Sequence, residues 1–138
     1  MQNLSYLLIK ASRQLRNKLD KALKEFNITA AQFSVINQIK ASEKPITAAE
    51  IAERLGSDRP TISGIINRLE KKGIVLKAYN PEDKRSSYLK IDKSFYQLVD
   101  DITRITEELT VDIFSIYTEE EANQLMNMMN QLLERTEE

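Results

Sequence analysis

The stretch ITAAEIAERLGSDRPTISGIINRLEKKGIVLKAYNPEDKRSSYLKI, residues 46–91, decides the fold. Thr47 stands three residues before Glu50, the spacing of a capping box at a helix start. Ala48, Ile51, Ala52 and Leu55 then recur at three- and four-residue steps and make one apolar face. Gly56 supplies the permissive backbone position that ends such a helix. A second helix follows almost at once. Ser57 or Asp58 can cap it, and Pro60 is tolerated in its first turn, where a missing N–H costs nothing. Ile62, Ile65, Ile66 and Leu69 fall at i, i+3, i+4 and i+7, a single buried stripe, and Gly73 closes the helix. Two helices joined by a turn of about three residues containing Gly have the sequence form of a helix-turn-helix. Residues 74–79 and 86–91 read as two strands around the charged turn NPEDKR, with Leu89 and Ile91 on one face and Tyr88 and Lys90 on the other. A hairpin placed directly after the second helix is a wing.

Outward from this stretch the chain is helical. Leu4, Leu8, Ala11, Leu15, Leu19, Ala22 and Phe26 predict one long helix over 4–26, with Lys10, Arg13, Arg16, Lys18, Lys21 and Lys24 as a basic exposed side. Thr29 and Gln32 form another capping box, before a helix whose apolar face is Phe33, Ile36 and Ile39. From about Asp92 the pattern is helical to the end. Phe95, Leu98, Val99, Ile102, Ile105, Leu109, Ile113 and Ile116 form one stripe. Thr118 and Glu121 make a third capping box, ahead of Leu125, Met126, Met129, Leu132 and Leu133. The expected fold is mainly α (α+β): four helices, two strands, two helices. Residues 1–138 read as one domain. Its winged helix-turn-helix core spans 29–91, with a recognition helix at about 58–72 and a wing at about 74–91. The helices at 1–26 and 95–136 are expected to form a dimerisation region, because one small domain offers too little interior to cover all their apolar stripes; Met126, Met128 and Met129 read as interface filling.

Composition removes several functions. The 138 residues include no Cys and no His, so no disulfide, thiol switch or His/Cys metal site can form. No cofactor is expected. No convergent set of ionisable residues suggests an enzyme. No run approaches the roughly 18 apolar residues of a membrane span, and the N-terminus lacks a signal-peptide pattern, so a cytoplasmic protein is expected. The formal net charge of −1 hides an asymmetry. Residues 1–50 carry 8 Lys/Arg against 4 Asp/Glu, residues 51–90 carry 9 against 5, and residues 91–138 carry 3 against 12. A negatively charged partner would favour the first ninety residues.

With its apolar stripe inward, the recognition helix turns Pro60, Gly64, Asn67 and Lys71 outward, flanked by Thr61, Ser63 and Arg68. Ser, Thr, Asn and Arg can exchange hydrogen bonds with base edges in the major groove of double-stranded DNA. Gly64 lets the helix backbone approach a duplex closely. The helix N-terminus favours a phosphate, with Arg54 and Arg59 near it. At the wing, Lys84 and Arg85 are the candidate contacts, Arg85 suited to a narrow minor groove. Asp83 either pairs with Arg85 and directs its guanidinium or orders the turn.

These features resemble the MarR family of bacterial transcriptional regulators. The residues that carry the likeness are RLEKKG at 68–73, the wing motif Asp83-Lys84-Arg85, and the Thr29–Phe33 segment that opens the second helix. The resemblance covers essentially the whole chain. It implies a homodimer held by both termini, a recognition helix in the major groove, a wing arginine in the minor groove, and Asp83 as the aspartate that pairs with Arg85. It further implies a sequence-specific DNA-binding regulator, a repressor at a pseudo-palindromic operator, released by a small organic, often phenolic, anion bound between the dimerisation region and the winged domain. An activator of the same fold, and an adaptor that binds protein instead of DNA, are the other readings. The missing Cys and His set the chain apart from thiol-, peroxide- and zinc-sensing members. The segment IDKSFY at 91–96 also departs from the family pattern: Asp92 stands where Thr is common and can cap, and Phe95 stands where Gly is usual.

Overall fold

A computed structural model describes residues 3–137. The elements run α1 (Leu4–Leu23), α2 (Ala30–Ala41), β1 (Ile46–Thr47), α3 (Ala48–Leu55), α4 (Arg59–Lys71), β2 (Val75–Tyr79), β3 (Ser87–Ile91), α5 (Tyr96–Phe114) and α6 (Glu119–Thr136), with short 3-10 turns at Lys24–Phe26 and Lys93–Phe95. The fold is mainly helical, with a small antiparallel sheet in the order β1-β3-β2. Ile46 pairs with Leu89 and Thr47 with Tyr88 in β1–β3, and Val75 through Tyr79 pair with Ile91 back to Ser87 in β2–β3.

Three departures from the sequence expectations have local causes. The first helix stops at Leu23, not Phe26. A 3-10 turn follows, and Asn27 adopts a left-handed conformation, φ 56°, a conformation that Asn tolerates better than most residues at a helix end. Strand β1 was not foreseen: two residues carry no period, and only their pairing with β3 makes them a strand. The third departure is at the start of α5. Asp92 makes no side-chain cap to a backbone amide. Its carboxylate accepts the Ser94 hydroxyl instead, and a 3-10 turn precedes the α-helix.

The caps otherwise follow the sequence. Thr29/Gln32 and Thr118/Glu121 form full reciprocal boxes. Thr47 accepts the Glu50 N–H but gives its hydroxyl to the Glu50 carboxylate, so that box is not reciprocal. Gly56 and Gly73 both end helices at positive φ, 63° and 81°. At the second, the Gly73 and Ile74 N–H groups donate to the Glu70 and Leu69 carbonyls, satisfying acceptors that the helix end leaves open.

The chain divides into two compact units, with the boundary between Thr106 and Glu107. The first holds the core. Leu23, Val35, Ile36, Ile46, Ile51, Ile62, Leu69, Ile74, Val75 and Ile102 are fully buried, each contributing about 1.5–3 kcal/mol by leaving water. Asp20 ties α1 to α2 by accepting the Ala30 N–H at 2.7 Å. In the second unit no described residue is buried. Val111, Ile116, Tyr117, Met126, Met128, Leu132 and Leu133 are exposed there, and the Phe114 and Tyr117 rings lie 6.5 Å apart. No helix of the described residues is long and apolar enough to cross a membrane.

Candidate nucleic-acid interface

Helix α4 sits on Ile62, Ile65, Ile66 and Leu69, all buried. The core therefore fixes its rotation about its own axis, and the opposite face is presented by default. Arg59, Ser63 and Asn67, at i, i+4 and i+8, form one line that runs from the edge of the buried stripe toward that face, and all three are exposed. They make one wall of an open groove of about 710 Å³, whose other wall comes from β2, β3 and the hairpin loop through Lys77, Asn80, Asp83, Arg85, Ser86 and Ser87. Five of the expected contact residues thus meet in one concavity: Arg59, Ser63, Asn67, Asp83 and Arg85.

The other five do not line it. Arg54 is exposed in the last turn of α3, and Arg68 is exposed in the last turn of α4. Lys84 is exposed in the hairpin loop. Gly64 is half-buried, and a Cβ built there would meet nothing within 4 Å. The interior of the protein therefore gives no reason for glycine at this position. Thr61 is exposed, but its N–H and hydroxyl both donate to Asp58, at 2.8 and 2.9 Å.

Asp58 is the N-cap of α4. The Thr61 N–H, and then the Thr61 hydroxyl, hold its carboxyl below the ordinary aspartate value. This changes the expectation for the helix end. Pro60 has no N–H and Asp58 takes that of Thr61, so a carboxylate already occupies much of the first turn where a phosphate was expected.

In the wing, Asp83 does two things. Its Oδ1 accepts the Arg85 N–H at 2.9 Å, and its carbonyl accepts the Ser86 N–H at 3.1 Å. The Arg85 Nε lies 3.6 Å from the same carboxylate, with the Arg85 side chain 94% exposed. The hydrogen bonds that order the turn are shorter than this ion-pair contact. Sequence reasoning missed Lys77 and Asn80. Lys77 lies 3.8 Å from Glu70, a pairing between strand and helix that no local pattern shows. Asn80 could have been found, because Asn-Pro is a turn signal.

Residues 28–87 match the MarR family model. The regulator FarR of Neisseria gonorrhoeae is 30% identical over 101 residues, 73% of this chain and 68% of that protein. Among solved structures, MepR of S. aureus in complex with DNA is 27% identical, covers 96% of this chain and 97% of its own, and superposes with a TM-score of 0.87. A mutant MarR from E. coli complexed with operator DNA is 25% identical, covers 94% and 93%, and has a TM-score of 0.85.

Proposed function

Since the chain belongs to the MarR family of transcriptional regulators, which are not enzymes, we propose that it binds a specific double-stranded DNA site as a homodimer, through the groove between α4 and the wing. The observation that carries this reading is the convergence of Arg59, Ser63 and Asn67 with Arg85 on the two walls of one concavity. A rigid helix face supplies donors and acceptors suited to base edges. The hairpin supplies an arginine with no packing around it, suited to a narrow minor groove. Lys84, Arg54 and Arg68 lie outside the groove and act on the flanking phosphates, which position the protein without reading sequence. The two related structures solved with DNA support the same use of this fold.

Dimerisation follows from uncovered apolar surface. In the first unit Leu4, Tyr6, Leu7, Leu8 and Ile9 leave the start of α1 apolar on nearly all sides, and the second unit exposes the residues named above. A helix apolar all round is stable in water only when covered. A two-fold dimer covers both faces and sets two recognition helices about one DNA turn apart, matching a pseudo-palindromic site.

The protein acts as a repressor, and a small organic anion releases it. A cleft of about 320 Å³ in the first unit, lined by Leu15, Arg16, Phe33, Asn37 and Leu55 among others, combines apolar walls with one guanidinium and suits such a ligand. Selection of bound duplexes from a random pool tests the central part. A two-fold symmetric consensus is expected. No enrichment over the pool would instead favour a protein-binding adaptor.

A further inference from the structure

Three polar residues of the described chain are buried: Gln32, Thr47 and Asn80. The first two set helix starts, Gln32 through its reciprocal box with Thr29 and Thr47 by accepting the Glu50 N–H. Asn80 is 6% exposed at the end of β2 and lines the groove. Its Oδ1 accepts the Glu82 N–H at 3.0 Å, across Pro81. That is an Asx turn, with a proline whose φ is preset at the central position. Asp83 repeats the device three residues on, toward Arg85. The hairpin loop is thus two Asx turns in series. The first is anchored in the interior and the second carries the arginine.

We infer that Asn80 is the positioning residue of the wing, fixing where Arg85 is presented without itself touching DNA. The inference rests on the DNA-binding reading above. Arg85 is almost wholly exposed, so packing does not aim it; the backbone of the loop does. Pro81, Glu82, Asp83 and Lys84 are exposed as well, which leaves the buried Asn80 amide as the loop's inner anchor. Removing the amide leaves the Glu82 N–H without this acceptor and frees the first turn. The second turn then swings with it, and Arg85 samples many positions, of which few fit a groove.

The test is a double-mutant cycle on the full-length protein, using a duplex recovered by the random-pool selection and fixed salt. Asn80→Ala is expected to weaken binding about fivefold, the loss of one turn-defining hydrogen bond. In an Arg85→Ala background the same substitution should cost nothing further. Asn80→Ser keeps an oxygen able to accept in the same turn, more weakly, and should recover most of the affinity. Amide exchange should quicken at Glu82 and Arg85 in Asn80→Ala and stay unchanged at Asn67 in α4. An equal loss in both backgrounds would overturn the inference, because the effect would not run through Arg85. So would unchanged affinity in Asn80→Ala. If Arg85→Ala alone binds as tightly as the unmodified protein, the wing reading fails, and the inference with it. Should Asn80→Ala not fold, Asn80→Ser completes the cycle, with about a twofold loss expected only where Arg85 is present.

Discussion

Helix α4 and the wing tip face the same groove, yet they are held by opposite means. Under Asn67 and Ser63 lie four buried apolar side chains, so the hydrophobic core aims the helix face. The Arg85 side chain is almost wholly exposed, and two side-chain-to-backbone bonds, at Asn80 and Asp83, shape the loop that carries it. The helix can therefore exchange its outward residues without losing its place, because the side chains that face the groove are not those that hold. The wing has no such separation. Asp83 both shapes the turn and lies against Arg85, so one substitution changes position and charge together.

The largest effect should come from attacking what holds α4. Leu69→Ala removes a fully buried side chain and should cost about 2–5 kcal/mol of unfolding free energy, read by denaturant titration. A loss below about 1 kcal/mol would mean that the core does not set the helix as described. Next comes Arg85→Ala, which should lower DNA affinity about tenfold while leaving the melting temperature unchanged. Affinity and melting temperature falling together would erase the contrast between a packed helix and a free wing. A smaller effect of mixed sign is expected at Gly64. Nothing lies within 4 Å of an added Cβ, so Gly64→Ala should stabilise the helix by up to about 1 kcal/mol. On the expectation that the glycine serves close approach of the backbone to a duplex, the same methyl should weaken DNA binding. Tighter binding by Gly64→Ala would remove that role.

The smallest effect is a pH dependence at the start of α4. Hydrogen bonds from Thr61 depress the Asp58 pKa in the folded state. The stabilisation is therefore fully present above the unfolded aspartate pKa and is lost as pH falls through the lower folded value. In acid melting curves, Asp58→Ala should narrow its stability gap to the unmodified protein as pH drops through that window. A gap that widens toward acid would contradict the cap.

How much of this was legible in the sequence depends on the range of the interactions. The helix-turn-helix was visible because apolar stripes, caps and glycines act within four residues. Ser63 and Asn67 followed from the stripe of Ile62, Ile65, Ile66 and Leu69, which leaves them nowhere else to point. Strand β1 was not visible, since it exists only through pairing with β3, forty residues away. Nor was the groove itself, which needs Lys77 and Asn80 opposite α4. Thr61 shows a third kind of limit. It is exposed on α4, but both of its donors serve Asp58, so the helix start carries an acidic cap that no sequence spacing announces for Thr61.

In the proposed function, α4 and the wing read one DNA site in different ways. The most direct measurement is the affinity of Asn67→Ala and Arg85→Ala for a selected site in which each base pair is varied in turn. Asn67→Ala should relax preference at a few positions in each half-site, by about 1–3 kcal/mol per position, and Arg85→Ala should flatten preference at the A/T positions flanking them, by amounts that together match its roughly tenfold loss. Two variants that lose affinity uniformly at every position, with the base preferences intact, would contradict the account.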